Sequence, residues 1–285
     1  MQIHHLNCGT LYPLMNPWIL GTGTLRQRPP LVTHCLLIET SEGLLLVDTG
    51  FGLRDYTFPS APVRMFMAYS YYKKDIYETA YHQVQGLGYE IADVRQIAIT
   101  HMHLDHVGGL PDFPEATVNI FGDEYRAITQ PRDLEERMIC RREHWAHDPL
   151  WEGHALEGDR WFGFDCTPPV KFGEIEFFFV PLTGHTRGHS AVVIRTPEGW
   201  LMHCGDAYVY HGGVDPHQPH YPPRHQLMLR IMGLFSKAFR VFELHAPSLR
   251  ALQRQHGEEV QVFCAHDPVE FVRYRPDLKS TLLPA

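Results

Sequence analysis

Short apolar runs broken by polar, glycine-containing turns organise the first half of the chain. Residues 31–39 and 44–48 are strand-like runs separated by Thr40-Ser41-Glu42-Gly43, which predicts a hairpin. The second run breaks into Asp48-Thr49-Gly50-Phe51-Gly52, a strand ending in a glycine loop. Residues 53–72 carry many aromatic and methionine side chains and read as irregular. Residues 72–86 predict a helix that stops at Gly86 or Gly88. Residues 94–100 predict a strand, followed at once by His101-Met102-His103-Leu104-Asp105-His106-Val107-Gly108-Gly109. Another strand is predicted at 117–121, with helices over 123–129 and 133–145.

The second half repeats the style. A hairpin is predicted within 170–182, turning at Gly173-Glu174, and Thr183-Gly184-His185-Thr186-Arg187-Gly188-His189-Ser190 follows it. Strands at 191–195 and 200–204 flank Pro197-Glu198-Gly199, and the second enters Gly205-Asp206. Residues 211–225, rich in proline and histidine, read as a loop. Met228, Ile231, Phe235, Phe239 and Phe242 recur at helical spacing over 226–242. A helix over 248–255 and a strand at 260–264 come next, and the strand ends in Ala265-His266-Asp267. No stretch reads as a linker, so residues 1–285 are expected to form a single domain. Strands arrive in two batches, each with helices, which predicts an α/β chain of two sheets packed face to face with helices outside.

Charge narrows the function. Lys and Arg total 25 against 33 Asp and Glu, a net charge of −8, which argues against a nucleic-acid binder. No apolar run reaches the roughly 18 residues of a membrane span, and the first eight residues lack the pattern of a signal peptide. Stable membrane insertion is not expected, and the expected compartment is cytoplasmic. The six cysteines form no C-x-x-C pair, and four of them sit inside or beside apolar runs as small buried apolar residues do. Histidine is the unusual count, 20 in 285, and it is the commonest metal ligand. His101, His103, Asp105 and His106 lie within six residues on a segment leaving a strand, where imidazoles and a carboxylate can converge on a metal. His189, Asp206 and His266 each sit just past or between strands.

Residues 100–109 read T-H-x-H-x-D-H-x-G-G, which resembles the signature of the metallo-β-lactamase-fold hydrolases. The other landmarks follow in that family's order: Leu46-Val47-Asp48-Thr49-Gly50, then Gly184-His185-Thr186-x-Gly188-His189, Gly205-Asp206 and Ala265-His266-Asp267. The resemblance extends from about residue 30 to 270. It implies an αβ/βα four-layer sandwich of two mixed sheets flanked by helices, with the site at one edge of the sheets. It also implies two divalent metal ions. His101, His103 and His189 resemble the ligands of the first, and Asp105, His106 and His266 those of the second. Asp206 resembles the bridging carboxylate. The same reading makes His189 the ligand of its segment and leaves His185 structural. Asp48 resembles a residue that orients the ligand loop, the plainer alternative being a turn cap. Zinc is the expected metal, with manganese or iron as alternatives.

Two ions roughly 3.5–4 Å apart share one water and bring its pKa toward neutrality, and the bridging hydroxide attacks a carbonyl or phosphorus. Asp105 is expected to pass a proton to the leaving group. Within the family the chain looks most like the quorum-quenching lactonases that open N-acyl-homoserine lactones. Periplasmic β-lactamases lack the bridging aspartate, and flavin-linked diiron relatives have glutamate where His103 stands. Thioesterase relatives carry a C-terminal helical domain longer than the 19 residues after His266, and RNA-processing relatives carry a basic arm or long insertions. One departure stands out. The lactonases have a tyrosine three residues after the bridging aspartate, where this chain has Val209 between Tyr208 and Tyr210. Either tyrosine is a candidate to contact the substrate carbonyl; the alternative is that both pack. An acyl chain has two candidate linings, residues 65–72 and the helix bearing Met228, Ile231, Met232, Phe235 and Phe239, with core packing or a homodimer interface as alternatives. Arg230, Lys237 and Arg240 on that helix read as a solvated face. A phosphodiesterase and a non-enzymatic metal-binding protein are the competing functions.

Overall fold

In the computed structural model the described residues are 1–139, 142–234, 236, 239 and 244–283. Strands β1 (Ile3–Asn7), β2 (His34–Thr40), β3 (Gly43–Val47), β4 (Val94–Ile99), β5 (Thr117–Phe121) and β6 (Leu150–His154) form one sheet in that order. Strands β7 (Val170–Phe172), β8 (Ile175–Pro181), β9 (Ser190–Thr196), β10 (Gly199–His203) and β11 (Val260–Phe263) form the other, ordered β11-β10-β9-β8-β7. Both sheets are mixed. The hairpins pair antiparallel, whereas β3 to β6 run parallel and β10 pairs parallel with β11.

The near-continuous apolar runs follow from burial on both faces of each sheet. Alternate residues of a strand point to opposite sides. Leu36 and Ile38 of β2 and Leu45 and Val47 of β3 therefore meet Phe177, Phe179, Val192 and Ile194 between the sheets. Cys35 and Leu37 turn the other way, under Ala80 and Val84 of the helix at Ala80–Gly86. On the second sheet Phe178, Val180, Val193 and Met202 face outward under Leu249 and Leu252 of the helix at Ala246–His256. These are the four expected layers.

The helices in chain order are α1 (Asn16–Ile19), α2 (Leu53–Thr57), α3 (Ala61–Ser70), α4 (Ala80–Gly86), α5 (Leu104–Val107), α6 (Gly122–Thr129), α7 (Leu134–Ile139), α8 (His225–Met232), α9 (Ala246–His256), α10 (Pro268–Tyr274) and α11 (Lys279–Leu282). Several depart from the sequence reading. Residues 53–72 are helical in two pieces, not irregular. Gly52 opens α2, and Ser60 caps α3 by accepting from the Val63 N–H, with a proline in the first turn. The predicted 72–86 helix is shortened, because Thr79 caps α4 at its own start and a 3-10 turn at Ile76–Glu78 precedes it. Within 133–145, α7 and a 3-10 turn at Arg142–His144 stand on either side of residues 140 and 141, which are outside the described set. Of the 226–242 helix the structure gives α8; Phe235, Lys237, Arg240 and Phe242 lie outside the described residues. Among the described residues no helix is long and apolar enough to cross a membrane.

Candidate metal centre

The metal-binding segments leave one edge of the two sheets. β3 ends in Asp48, which holds a left-handed conformation at φ 53 and is completely buried. Its carboxylate accepts the Thr100 N–H through Oδ1 and the Thr100 hydroxyl through Oδ2, both at 2.8 Å, while Oδ2 also meets His106 Nδ1 at 2.8 Å. The segment after β4 is thereby tied to β3. Burial opposes a charge on Asp48, but the neighbouring His106 outweighs it and holds the carboxyl below its usual range. The motif then runs into α5, so Asp105 and His106 sit on a helical turn. Ser190 N–H donates to Thr100 O at 3.1 Å, which links the second sheet to the same segment. After β10, Gly205 adopts φ 51, and a side-chain carbon there would lie 2.7 Å from His189 Nε2 and 2.9 Å from Thr100 Oγ1. Only glycine fits that approach.

Two ligand groups result: His101, His103, His185 and Asp206, and Asp105, His106 and His266, with the ligand atoms of each group within 4.8 Å of one another. Asp206 faces both. Its Oδ2 lies 3.2 Å from His185 Nε2 and 4.0 Å from His101 Nε2, and its Oδ1 lies 3.2 Å from His106 Nε2 and 3.1 Å from His266 Nε2. The outer ring nitrogens are fixed. His101 Nδ1 meets the Thr100 hydroxyl at 3.0 Å, His106 Nδ1 meets Asp48, and His266 Nδ1 donates to Val32 O at 2.7 Å. Each ring thus turns Nε2 inward as the basic nitrogen, the arrangement a metal-ligating histidine uses.

The fit to a cation is direct. Nε2 of His101, His103 and His106 are buried with no hydrogen-bond partner among the described residues. Burial, then the adjoining imidazoles, holds His101 and His103 well below the usual histidine range, which keeps them neutral as ligands must be. For Asp206 burial opposes ionisation, but the surrounding imidazoles outweigh it and keep the carboxyl well below its usual range. Buried nitrogens facing one shared carboxylate suit one or two divalent ions of borderline hardness.

Three expectations meet a different geometry. His189 is fully buried, but both its ring nitrogens are occupied: Nδ1 donates to Leu182 O at 2.9 Å, and Nε2 accepts the Asp206 N–H at 2.9 Å. The second contact ties His189 to Asp206 beside the first ligand group. His185, four residues earlier, joins the ligand group that the sequence reading assigned to His189, with Nε2 3.0 Å from His103 Nδ1. Tyr208 is fully buried among core residues of the second sheet and donates its hydroxyl to Glu270, 3.0 Å from both carboxylate oxygens. Burial and Glu270 push the phenol well above its usual range. It packs and cannot meet a substrate carbonyl from there. Tyr210 is 8% exposed, and its hydroxyl lies 3.3 Å from His220 Nε2. Glu270 also accepts the Cys264 N–H at 2.8 Å, so Tyr208→Phe removes one of its two donors. We expect it to lower stability by about 1 kcal/mol while leaving turnover within about threefold; thermal melts and steady-state rates on the same preparation test this, and a hundredfold loss of turnover would restore the tyrosine to catalysis.

Glu124 was missed. It is completely buried on α6; Oε1 accepts the Met102 N–H at 2.8 Å, and Oε2 accepts the Thr186 hydroxyl at 2.8 Å and the Gly188 N–H at 2.9 Å. One carboxylate therefore clamps both histidine segments. Its only sequence signal was an acidic residue in the first turn of a predicted helix, which ordinarily marks a helix start.

A histidine- and carboxylate-lined centre at the edge of an αβ/βα sandwich defines a metal-dependent hydrolase. Residues 28–231 match the Metallo-beta-lactamase superfamily, and the chain belongs to it. It is 36% identical over 274 residues to a protein of Mycobacterium tuberculosis named as a probable metallo-hydrolase, across 94% of this chain and 81% of that one. It is 27% identical over 170 residues to an N-acyl homoserine lactonase of a Bacillus species, across 57% of this chain and 58% of that one. Among solved structures it resembles a dizinc quorum-quenching lactonase in complex with its product, with a TM-score of 0.59 and 17% identity across 93% of this chain and 87% of that one; the likeness is one of fold.

Proposed function

We propose that this hydrolase carries two divalent ions, zinc by preference, and opens the ring of a lactone of the N-acyl-homoserine type, in one domain built from both sheets. The observation that carries the reading is Asp206, which turns one oxygen to each ligand group. His101, His103 and His185 would hold the first ion, Asp105, His106 and His266 the second, and Asp206 both. Two such ions supply Lewis acidity toward a carbonyl oxygen and acidify a shared water. The chain's residues do the rest. His189 and Asp48 fix the ligands from behind, and Asp105, only 8% exposed, is the group placed to hand a proton to the ring oxygen as it leaves.

The surrounding surface supports an acyl substituent. Leu104, beside Asp105, and Val209, beyond Asp206, belong to one apolar cluster with Phe51, Met67 and Tyr210. Half-buried Phe66, Tyr72, Met228 and Met232 pack against it, a methionine and aromatic lining that adapts to a flexible chain. The named lactonase relatives point the same way. Val209 offers no hydroxyl, so no phenol at that position meets a substrate carbonyl.

The test is proton release from a long-chain N-acyl-homoserine lactone by protein loaded with two equivalents of zinc, with His185→Ala and His189→Ala in parallel. We expect His185→Ala to lose one equivalent of metal and to lower kcat/KM by roughly a thousandfold, since a lost ion removes several kcal/mol of transition-state stabilisation. His189→Ala should retain a larger share of both. No turnover above His185→Ala by fully loaded protein would sink the lactone assignment and make phosphodiesters the next substrates.

A further inference from the structure

A cavity of about 560 Å³ opens beside α3 and lies outside the ligand groups. Its lining is mainly apolar, from Pro59, Met67, Ala68 and the rings of Tyr71 and Tyr72. Its charged residues are all cations: Arg28, Arg64 and Lys74. Among the described residues no carboxylate lines it, in a chain whose net charge is −8. Arg64, Met67, Ala68 and Tyr71 recur at i, i+3, i+4 and i+7, so one stripe of α3 and its C-cap forms a wall. Tyr71 takes the left-handed conformation at φ 50 that ends the helix, and the Arg28 guanidinium lies 3.8 Å from its ring centroid.

The neighbouring charges show that these cations are not routine surface pairs. Lys73 is taken up by Asp75 at 3.0 Å and by Glu78 at 2.9 Å. Lys74, the next residue, turns into the cavity. Among the described residues neither it nor Arg28 nor Arg64 has an ion-pair partner. Three cations gathered without counter-charge around an apolar hollow raise the potential there and favour an anion. The hollow favours an apolar body attached to it.

We propose that this cavity binds an amphiphile with one anionic head on an apolar chain, the head held by Arg28, Arg64 and Lys74 and the chain along Met67, Tyr71 and Tyr72. Met67 and Tyr72 also belong to the apolar cluster that contains Leu104 and Val209. The ligand is therefore either a substrate whose acyl chain ends in an anion or a separate effector. The binding claim does not depend on the lactonase reading.

The experiment is calorimetric titration of the metal-loaded full chain with dodecanoate and with dodecanol, on wild type and on Arg64→Gln/Lys74→Gln. Both substituted residues are exposed and outside the metal centre. We expect dodecanoate to bind wild type about tenfold more tightly than the variant, the combined effect of two partly exposed charge pairs, and dodecanol to bind both alike. Equal affinity of dodecanoate for the two proteins, or no preference for it over dodecanol in wild type, overturns the proposal. Repeating the titration on His185→Ala separates this result from any failure of the hydrolase assignment. Once binding is shown, competition between dodecanoate and the hydrolysed substrate identifies a substrate tail, and binding without competition identifies an effector.

Discussion

Asp206→Asn is expected to strip both ligand groups of metal and to reduce hydrolysis by about a thousandfold or more. The substitution keeps the shape and removes one charge. The loss is large because Asp206 is the carboxylate both groups share, with Oδ2 beside His185 and His101 and Oδ1 beside His106 and His266. Without it, Asp105 is the one carboxylate left among the grouped ligands. Two divalent charges in a buried pocket then lack compensation, and uncompensated buried charge costs several kcal/mol. An asparagine oxygen can also ligate only through one atom. The histidines would respond too. Burial opposes protonation of His266, yet Asp206 and then Asp105 hold its pKa above the usual histidine value. Elemental analysis should find well under one equivalent of metal per chain after gel filtration, and kcat/KM should fall in step. Two retained equivalents with turnover near wild type would show that Asp206 does not join the two groups. Treating wild type with a chelator should reproduce the loss, and added zinc should reverse it in wild type alone.

The motif at 101–106 was legible because its residues are contiguous and chemically uncommon. The hairpins were legible for a related reason: near-continuous apolar runs broken by Gly43 or Gly173 leave few alternatives. The helices over 53–70 were not, because α3 places Met65 and Tyr69 on the outside, at 68% and 64% exposure, and Phe58, just past α2, is 81% exposed. A helix with large apolar residues on both its inner and outer surfaces shows no clean amphipathic stripe. Strands β1 and β6 escaped as edge strands. Ile-His-His-Leu-Asn carries two histidines, and β6 leaves Leu150 and Glu152 exposed, so neither shows the apolar run of a central strand. The choice between His185 and His189 lies deeper still. Both follow a glycine and both are followed by a hydroxyl residue, Thr186 and Ser190. The structure gives them different partners: His189 lies between Leu182 O and the Asp206 N–H presented by the Gly205 turn, contacts made across the fold. Tyr208 follows the packing alternative: two residues past Asp206, its side chain runs into the core toward Glu270.

Glu124→Ala is the second substitution expected to have a large effect, and it acts from outside both ligand groups. The side chain accepts three hydrogen bonds, from Met102 N–H in the first histidine segment and from the Thr186 hydroxyl and Gly188 N–H in the second. Removing it leaves three donors buried without partners, and each costs about 1–3 kcal/mol. The backbone has no room to relax inward, because Gly188 already sits so close to α6 that a side-chain carbon there would lie 1.9 Å from Glu124 N. The segments must shift instead, and they carry His101, His103 and His185. We expect a drop of several kcal/mol in stability and a fall in zinc affinity of about 10- to 100-fold, the usual consequence of removing a group that orients ligands. Glu124→Gln keeps the volume and one acceptor but sets an amide N–H against a donor, so it should fall between wild type and alanine on both scales. Thr186→Val removes a single donor and should cost least. Burial raises the Glu124 pKa, while the Thr186, Met102 and Gly188 donors pull it back. Ionisation thus depends on the same clamp that orders the segments. Competition with a chromophoric chelator reads metal affinity, and thermal melting of the metal-free protein reads stability. A variant series in which melting temperature falls but zinc affinity stays within twofold would reduce Glu124 to packing. Parallel losses, graded from valine at 186 through glutamine to alanine at 124, would identify the carboxylate that sets the two histidine segments at the spacing a shared Asp206 requires.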